Sequence, residues 1–577
     1  MLASNKDEND ERASVVGLET GQGKSSLIAI VLAELYKLDR PRCGSIVLVQ
    51  YQNQCDSLCD RINRIAGTDI AAAYHSKSRL NRKQLLKYPM LAMTHQRFLS
   101  GIENLNSYAC WIDSDSFHKL SNSPVEHRRH RLIIDESINK IDLLSINNNT
   151  LLLLDVFFQN QQNKSDFKMW QRISNEIREM LVLPVLPSEK NVTEIVKLSE
   201  EIPKRLIDVV LFGTKSSDKK NTQRAFKSIL NLANDGGILK TSTNPEFRKI
   251  QTASYINIFS PLFTSVILDG TCRTNETYNN EKYFHIVDIP RTKTFENVTV
   301  HVENKTTGSR SSIGRNDSLV TRTIDFINQN LTNKDVLLIC HKNTRFRFSE
   351  LPENVDITHW GAFSGSNEFN KKDCIVYCGV PHMDETYYVY LFHIFSGDRD
   401  FNRDRTYKPS GSADPVVRFI KEPNYERMRQ SWMATEIIQS INRGICRNHN
   451  SKVKMHAFLP YNDLSVLKRI EEEMPGVVVV KDYKLIDNYN PSSSNKGKKT
   501  LVESIVDILV NHRNYFGDLS TIKKNAIFDL EEIKSNYRCS SKAVKSQVWK
   551  SSQVLELEND GYLEISKKRI TFLKRVA

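Results

Sequence analysis

Short, almost continuous apolar runs recur along the first 460 residues. They stand at 14–18 (SVVGL), 45–49 (SIVLV), 90–93 (MLAM), 132–134 (LII), 336–340 (VLLIC) and 374–378 (CIVYC). Runs of this length, bounded by polar or glycine-containing stretches, predict parallel strands buried on both faces. Residues 138–260 read differently. SDFKMWQRISNEIREMLVL (165–183) and TEIVKLSEEIPKRLIDVVL (193–211) carry apolar residues at three- and four-residue steps and predict a helical insertion. A polar, Ser- and Lys-rich segment, NPSSSNKGKKT (490–500), predicts a linker. Beyond it, residues 500–560 return to helical periodicity, and GYLEISKKRITFLKR (561–575) alternates around a Lys-Lys turn as a hairpin does.

One strand-to-helix junction carries chemistry. VVGLETGQGKSSLIAI (15–30) places Gly21 and Gly23 around a turn, then Lys24 and Ser25, then an apolar helix at 25–37. Free N–H groups at a helix N-terminus attract anions, and glycines let the backbone close around a phosphate. A lysine reaches the terminal phosphates and a hydroxyl binds Mg²⁺. The strict spacing G-x-x-x-x-G-K-[ST] fails, because Leu18 stands where its first glycine belongs. Thr20, Gly21, Gln22, Gly23, Lys24, Ser25 and Ser26 are the candidate nucleotide-binding residues. A loop of this kind works with a second strand that ends in carboxylates. RLIIDES (131–137) supplies one, with Asp135 beside Ser25 as the expected Mg²⁺ ligand and Glu136 as the group that orients or deprotonates water.

In order and spacing, these two stretches and five others resemble the superfamily 2 helicases and translocases. ETGQGKSS is similar to the family's first motif and IIDES to its DExx box. SIVLVQYQNQCDSLCDRI (45–62), MLAMTHQRF (90–98) and SVILDGTC (265–272) resemble motifs Ia, Ib and III; residues 358–382 resemble motif V and QSINRGICR (439–447) motif VI. The resemblance implies an α/β fold of two RecA-like P-loop lobes. Lobe 1 would comprise 1–137 and 261–290, interrupted by the helical insertion 138–260. Lobe 2 would span 291–489, with 490–500 as linker and 501–577 as a small winged-helix-like domain. It implies ATP and Mg²⁺ as cofactors, and catalytic roles for Lys24, Asp135, Glu136, Gln439, Arg443 and Arg447. The two arginines are four apart where the family usually has three. On a single helix, steps of four advance by about 40°, so Gln439, Arg443 and Arg447 would share a face. Arg447 is then the expected finger on the terminal phosphate and Arg443 its neighbour. The resemblance further implies nucleic-acid contacts at Thr94, His95, His359, Gly365, Ser366 and Asn367, and coupling of nucleotide state to lobe position at Asp269, Gly270 and Thr271. In the terminal module, Lys567, Lys568 and Arg569 would form a wing tip against phosphates. The short stretch before the phosphate loop leaves little room for the adenine-reading Gln motif that some members carry, so base specificity is not expected.

Composition narrows the partner. The net charge is +13, which points to a polyanion, and no stretch is long and apolar enough to span a bilayer. Nucleic acid is therefore expected ahead of a membrane, with DNA ahead of RNA. A protein partner could dock on the insertion or on the winged module. The ten cysteines contain no C-x-x-C pair, and Cys374 and Cys378 fall in a buried run, against a disulfide framework or metal cluster. The polar, acidic start of the chain is unlike a signal peptide, so an intracellular, cytoplasmic protein is expected. The leading reading is a helicase that unwinds or moves along nucleic acid. Its competitors are a duplex translocase that never separates strands and a nucleic-acid-binding scaffold switched by ATP. An unrelated kinase would leave QSINRGICR unexplained.

Overall fold

The computed structural model describes residues 12–483 apart from short breaks, the longest being 183–192, 304–312 and 397–404, and only scattered positions beyond 487. The chain divides into two units, Met1–Asp487 and Asn488–Ala577.

Both expected RecA-like lobes are present in the first unit. Lobe 1 is built on a seven-stranded parallel sheet in the spatial order Phe284–Val287, Ala13–Val16, Thr264–Leu268, Arg131–Asp135, Ser45–Val49, Met90–Thr94, Ala71–Tyr74. The pleat explains the unbroken apolar runs. Ile46 and Leu48 enter one core layer with Leu91 and Leu132, while Val47 and Val49 enter the opposite layer against Ile28, Leu32 and Leu58 of the helices Lys24–Leu38 and Gln52–Ala66. Register sets the site. Val16 is level with Leu268, and Leu268 with Asp135, so the phosphate loop, the Asp269 turn and the acidic pair leave the sheet side by side at its carboxyl edge.

Lobe 2 repeats the plan with six parallel strands in the order Val355–His359, Val336–Cys340, Cys374–Cys378, Met455–Leu459, Val298–Glu303, Val478–Tyr483. Cys374 and Cys378 lie in a fully buried strand, as their setting predicts. The helix Pro423–Ile441 crosses this lobe and is held by a charge cluster that the sequence pattern does not reveal. Arg429, 2% exposed, donates to Glu426, to Asp463 Oδ2 at 2.6 Å and to the Tyr461 hydroxyl at 2.8 Å. Removing one partner of such a cluster strands the others without water. Arg429→Ala is expected to cost lobe 2 about 3–5 kcal/mol, read as an earlier urea transition of the full chain.

The insertion corrects an expectation. Its described residues do include the helices Asn148–Gln159, Lys164–Val182, Lys204–Phe212 and Lys219–Asn234. It also holds a four-stranded antiparallel sheet, ordered Asp142–Ile146, Lys249–Ser254, Gly237–Lys240, Thr193–Val196. It is therefore α/β rather than helical. Strands of four to six residues are too short for periodicity to distinguish them from helix. Thr193–Val196 falls inside the stretch read as helical, which restarts as helix only after Pro203. Trp170, Phe158 and Phe226 centre a separate core. The insertion also packs on lobe 2: Ile238, Ala253 and Ile256 share a core with Tyr387, Tyr388 and Leu391 of the helix Glu385–Ser396. Tyr390 donates to the Gln251 carbonyl at 2.6 Å, and Lys240 pairs with Asp384 at 2.8 Å. Burial alone would raise the Asp384 carboxyl, but the bond to Lys240 holds it down at about 2.

No helix among the described residues is long and apolar enough to cross a membrane. In the second unit the described residues form a three-stranded antiparallel sheet, Thr521–Lys523, Arg569–Phe572, Leu563–Ile565. Leu563 pairs with Phe572 and Ile565 with Ile570, so the two strands expected of a hairpin are paired antiparallel. Lys567, Lys568 and the Arg569 side chain lie outside the described residues, and of the helices expected before them only single helical positions, such as Ile505, Ile508 and Leu509, are described.

Candidate nucleotide site

The loop after Ala13–Val16 turns through Gly21 (φ 98°) and Gly23 (φ 79°). Gly23 caps the helix Lys24–Leu38 without a side-chain bond, so the first N–H groups of that helix are open to an anion. Lys24 Nζ reaches back to the Leu18 carbonyl at 3.4 Å, at the position where the strict motif has glycine. A glycine is needed opposite instead. A Cβ on Gly270 would lie 2.8 Å from the Leu18 carbonyl oxygen and 3.3 Å from the Thr20 nitrogen. Gly270→Ala is therefore expected to push the loop aside and to weaken ATP binding about tenfold or more, the scale of a 1–3 kcal/mol overpacking penalty. A titration with fluorescent ATP checks it.

Ser25 Oγ donates to Asp135 Oδ2 at 3.3 Å, while Asp135 Oδ1 is buried with no protein partner. Burial pushes the Asp135 carboxyl up to about 6, against the pull of Lys24. A carboxylate oxygen buried without a donor, beside a hydroxyl at a phosphate loop, fits a divalent cation. Ser25 and Asp135 are the pair that could hold Mg²⁺.

Glu136 follows in a conformation that non-glycine residues avoid. Its φ is 77°, and the backbone is held there by Glu136 N–H donating to the Leu268 carbonyl at 3.0 Å. This turn sends its carboxylate across the lobe boundary, where Arg443 Nη2 donates to Oε1 at 2.8 Å. The pair is nearly dry, at 4% and 15% exposure. Arg443 and Arg447 do not share a helix face, which corrects the geometry expected from their spacing. The helix Pro423–Ile441 ends at the Asn442 cap, and Arg447 closes a separate short turn, Ile445–Arg447. Gly444 stands in that connection, where a Cβ would lie 2.4 Å from Met455 Cε and 3.0 Å from the Lys372 carbonyl oxygen.

Both arginines nevertheless line one cleft of about 1480 Å³ with Thr20, Gly21, Gly23, Lys24, Ser25, Ser26, Asp135 and Glu136. Burial, with Arg443 beside it, lowers the Arg447 pKa. Two expected residues do not join them. Gln22 turns outward to Glu19 and Thr292. Gln439 lines a second cavity of about 490 Å³ on another side of Glu136, with Gln50, Trp360 and His382.

The Asp269 turn is a junction. Asp269 Oδ1 accepts from Thr271 N–H at 2.9 Å and Thr271 Oγ1 at 2.7 Å, and Oδ2 accepts from the Tyr278 hydroxyl at 3.0 Å. Asn275 donates to Ser137 Oγ at 3.2 Å, just beyond Glu136. The next residues reach lobe 2: Thr274 Oγ1 donates to Glu473 at 2.7 Å, Glu276 N–H to Ser431 Oγ at 2.7 Å, and Arg469 pairs with Glu276 at 3.1 Å. Thr274, Glu276, Ser431, Arg469 and Glu473 escape a sequence reading because partners 155 to 199 residues apart share no local pattern.

The expected nucleic-acid residues fare unevenly. Thr94 and His95 are buried, at 6% and 2% exposure, and Thr94 Oγ1 accepts from Arg97 N–H to start the helix His95–Ser100. Side chains so covered cannot reach a phosphate, so this assignment is corrected to a structural one. His359 ends an edge strand, half-buried, with Nδ1 3.0 Å from the Trp360 carbonyl. Gly365, Ser366 and Asn367 lie outside the described residues.

No family model matches the chain, and no curated protein sequence does. Solved structures to which it is similar include S. cerevisiae Dbp5 bound to RNA and ADP BeF3, at 10% identity and TM-score 0.31 over 82% of this chain and 86% of that one. Another is the DUF1998 helicase MrfA bound to DNA and AMPPNP, at 10% identity and TM-score 0.30 over 98% and 57%. A third is a DEAD box protein from the hyperthermophile Methanococcus jannaschii, at 12% identity and TM-score 0.23 over 82% and 89%.

Proposed function

We propose that the chain is an ATP-dependent helicase or translocase of the superfamily 2 type that moves on nucleic acid, DNA first. The observation that supports this best is the contact of Arg443 from lobe 2 with Glu136 of lobe 1 at 2.8 Å, across a cleft that also holds Lys24, Ser25, Asp135 and Arg447. An arginine supplied from a second lobe makes hydrolysis conditional on how the lobes sit, which a stepping motor requires.

Lys24 and the open helix N-terminus hold the terminal phosphates. Ser25 and Asp135 would hold Mg²⁺, which when bound draws charge from those phosphates. Glu136 takes a proton from the attacking water. Arg443 keeps that carboxylate occupied until phosphate competes for the guanidinium, so the base is released when nucleotide is present. Arg447 faces the charge that develops on the terminal phosphate. The Asp269–Glu276 turn carries the state of the site to Ser431, Arg469 and Glu473 of lobe 2. The test is steady-state ATP hydrolysis titrated with single-stranded DNA, duplex DNA and RNA. Stimulation by a nucleic acid is expected. A rate indifferent to all three would leave an ATPase without a track, and no hydrolysis under any condition would overturn the reading.

A further inference from the structure

The connection between the lobes has no regular secondary structure through residues 289–295, and two consecutive residues in it touch opposite halves of the candidate ATPase site. On one side, Gln22 Nε2 donates to Thr292 Oγ1 at 2.7 Å and to Glu19 Oε2 at 3.0 Å, and Thr292 Oγ1 donates to the same Glu19 oxygen at 3.2 Å. Glu19 N–H closes the ring by donating to Gln22 Oε1 at 2.9 Å. Gln22 stands between Gly21 and Gly23, the two loop glycines with positive φ. Its side chain is thus the handle by which the flexible part of the phosphate loop is held from outside the cleft. On the other side, Lys293, 6% exposed and with its ammonium 4.4 Å from the centre of the Phe295 ring, donates to Asn442 Oδ1 at 2.8 Å. Asn442 caps the helix Pro423–Ile441 and immediately precedes Arg443. Successive Cα atoms are about 3.8 Å apart, so the phosphate loop and the arginine turn are coupled through one peptide unit.

Resting on the ATPase reading above, we infer that Thr292 and Lys293 are positioning residues: Thr292 sets the shape of the phosphate loop at Gln22, and Lys293 sets the place of Arg443 against Glu136. The two roles separate kinetically. Loop shape governs how well nucleotide binds in every state. The placement of Arg443 governs how the Glu136 base is held and released, on which turnover depends, and that is a kcat effect.

The test uses the full chain, with binding of mant-ATP and steady-state hydrolysis measured for each variant. Thr292→Val keeps the shape and removes the hydroxyl. Its mant-ATP Kd and its KM for ATP should rise about three- to tenfold, the loss expected from one neutral hydrogen bond and one solvent-exposed bond to the Glu19 carboxylate, with kcat within about twofold of wild type. Thr292→Ser should restore both to within about twofold. Lys293→Met keeps the buried stem and removes the donor. It should lower kcat about tenfold, the loss expected from one charged hydrogen bond, with mant-ATP Kd within about twofold of wild type. Thr292→Val with wild-type Kd and KM, a serine variant that fails to restore them, or Lys293→Met with wild-type kcat would each overturn the bridge. A wild-type chain that binds mant-ATP without hydrolysing it would overturn the ATPase reading instead, and the Thr292 half of the bridge would then stand or fall on Kd alone.

Discussion

Glu136→Gln is expected to bind ATP as wild type does and to hydrolyse it about 10²–10⁴ times more slowly, the range lost with a positioned general base. The amide keeps the volume of the carboxylate and can still accept from Arg443, so the lobe contact at 2.8 Å is retained in weaker, uncharged form. It cannot take a proton. The unusual backbone at φ 77° does not depend on the side chain, because the bond from Glu136 N–H to the Leu268 carbonyl holds it. Binding should therefore survive while turnover collapses. Single-turnover hydrolysis beside a mant-ATP titration makes the distinction. Loss of binding together with turnover would mean that Glu136 serves the fold rather than the chemistry.

Lys24→Ala is expected to remove hydrolysis almost completely, by at least about 10²–10³-fold, the scale on which one preorganised charge-stabilising donor acts. It should weaken ATP binding as well, because the ammonium meets phosphate charge in the ground state too. The fold should be untouched. Lys24 Nζ makes one long contact, 3.4 Å to the Leu18 carbonyl, at the mouth of a cleft rather than in a core. An unchanged urea transition alongside lost activity is the expected result. A folded variant that keeps a tenth or more of wild-type turnover would remove the phosphate-loop assignment.

Both residues belong to the part of the site that was legible in advance. The order of glycines, lysine and hydroxyl at 21–25 and the acidic pair at 135–136 follow from local chemistry. A phosphate loop is one turn long, and a carboxylate at the end of a buried strand emerges where ligands bind. The spacing of Arg443 and Arg447 misled for an equally local reason. Four residues apart is a helix face only if the helix continues, and this one ends at Ile441, before either arginine. Thr94 and His95 carry the right functional groups for a phosphate, yet both are buried once the lobe folds, and no local pattern records that burial. The insertion shows the same limit at the scale of whole elements, since its four short strands become strands only by pairing with one another.

What the amino-acid sequence determined by itself is the pair of parallel-sheet lobes and the two motifs that meet at the candidate nucleotide site. Continuous apolar runs must be covered on both faces, and phosphate chemistry needs few residues in one place. What only the tertiary structure decided is how the halves address each other. Arg443 reaches Glu136 over 307 residues, Thr274 reaches Glu473 over 199, and Thr292 reaches back to Glu19 over 273. These contacts arise because strand register brings distant turns to one edge of each sheet, and packing of the lobes then sets those edges face to face. No periodicity along the chain records such a meeting, because the forces that fix it act between surfaces that exist only once both lobes have folded.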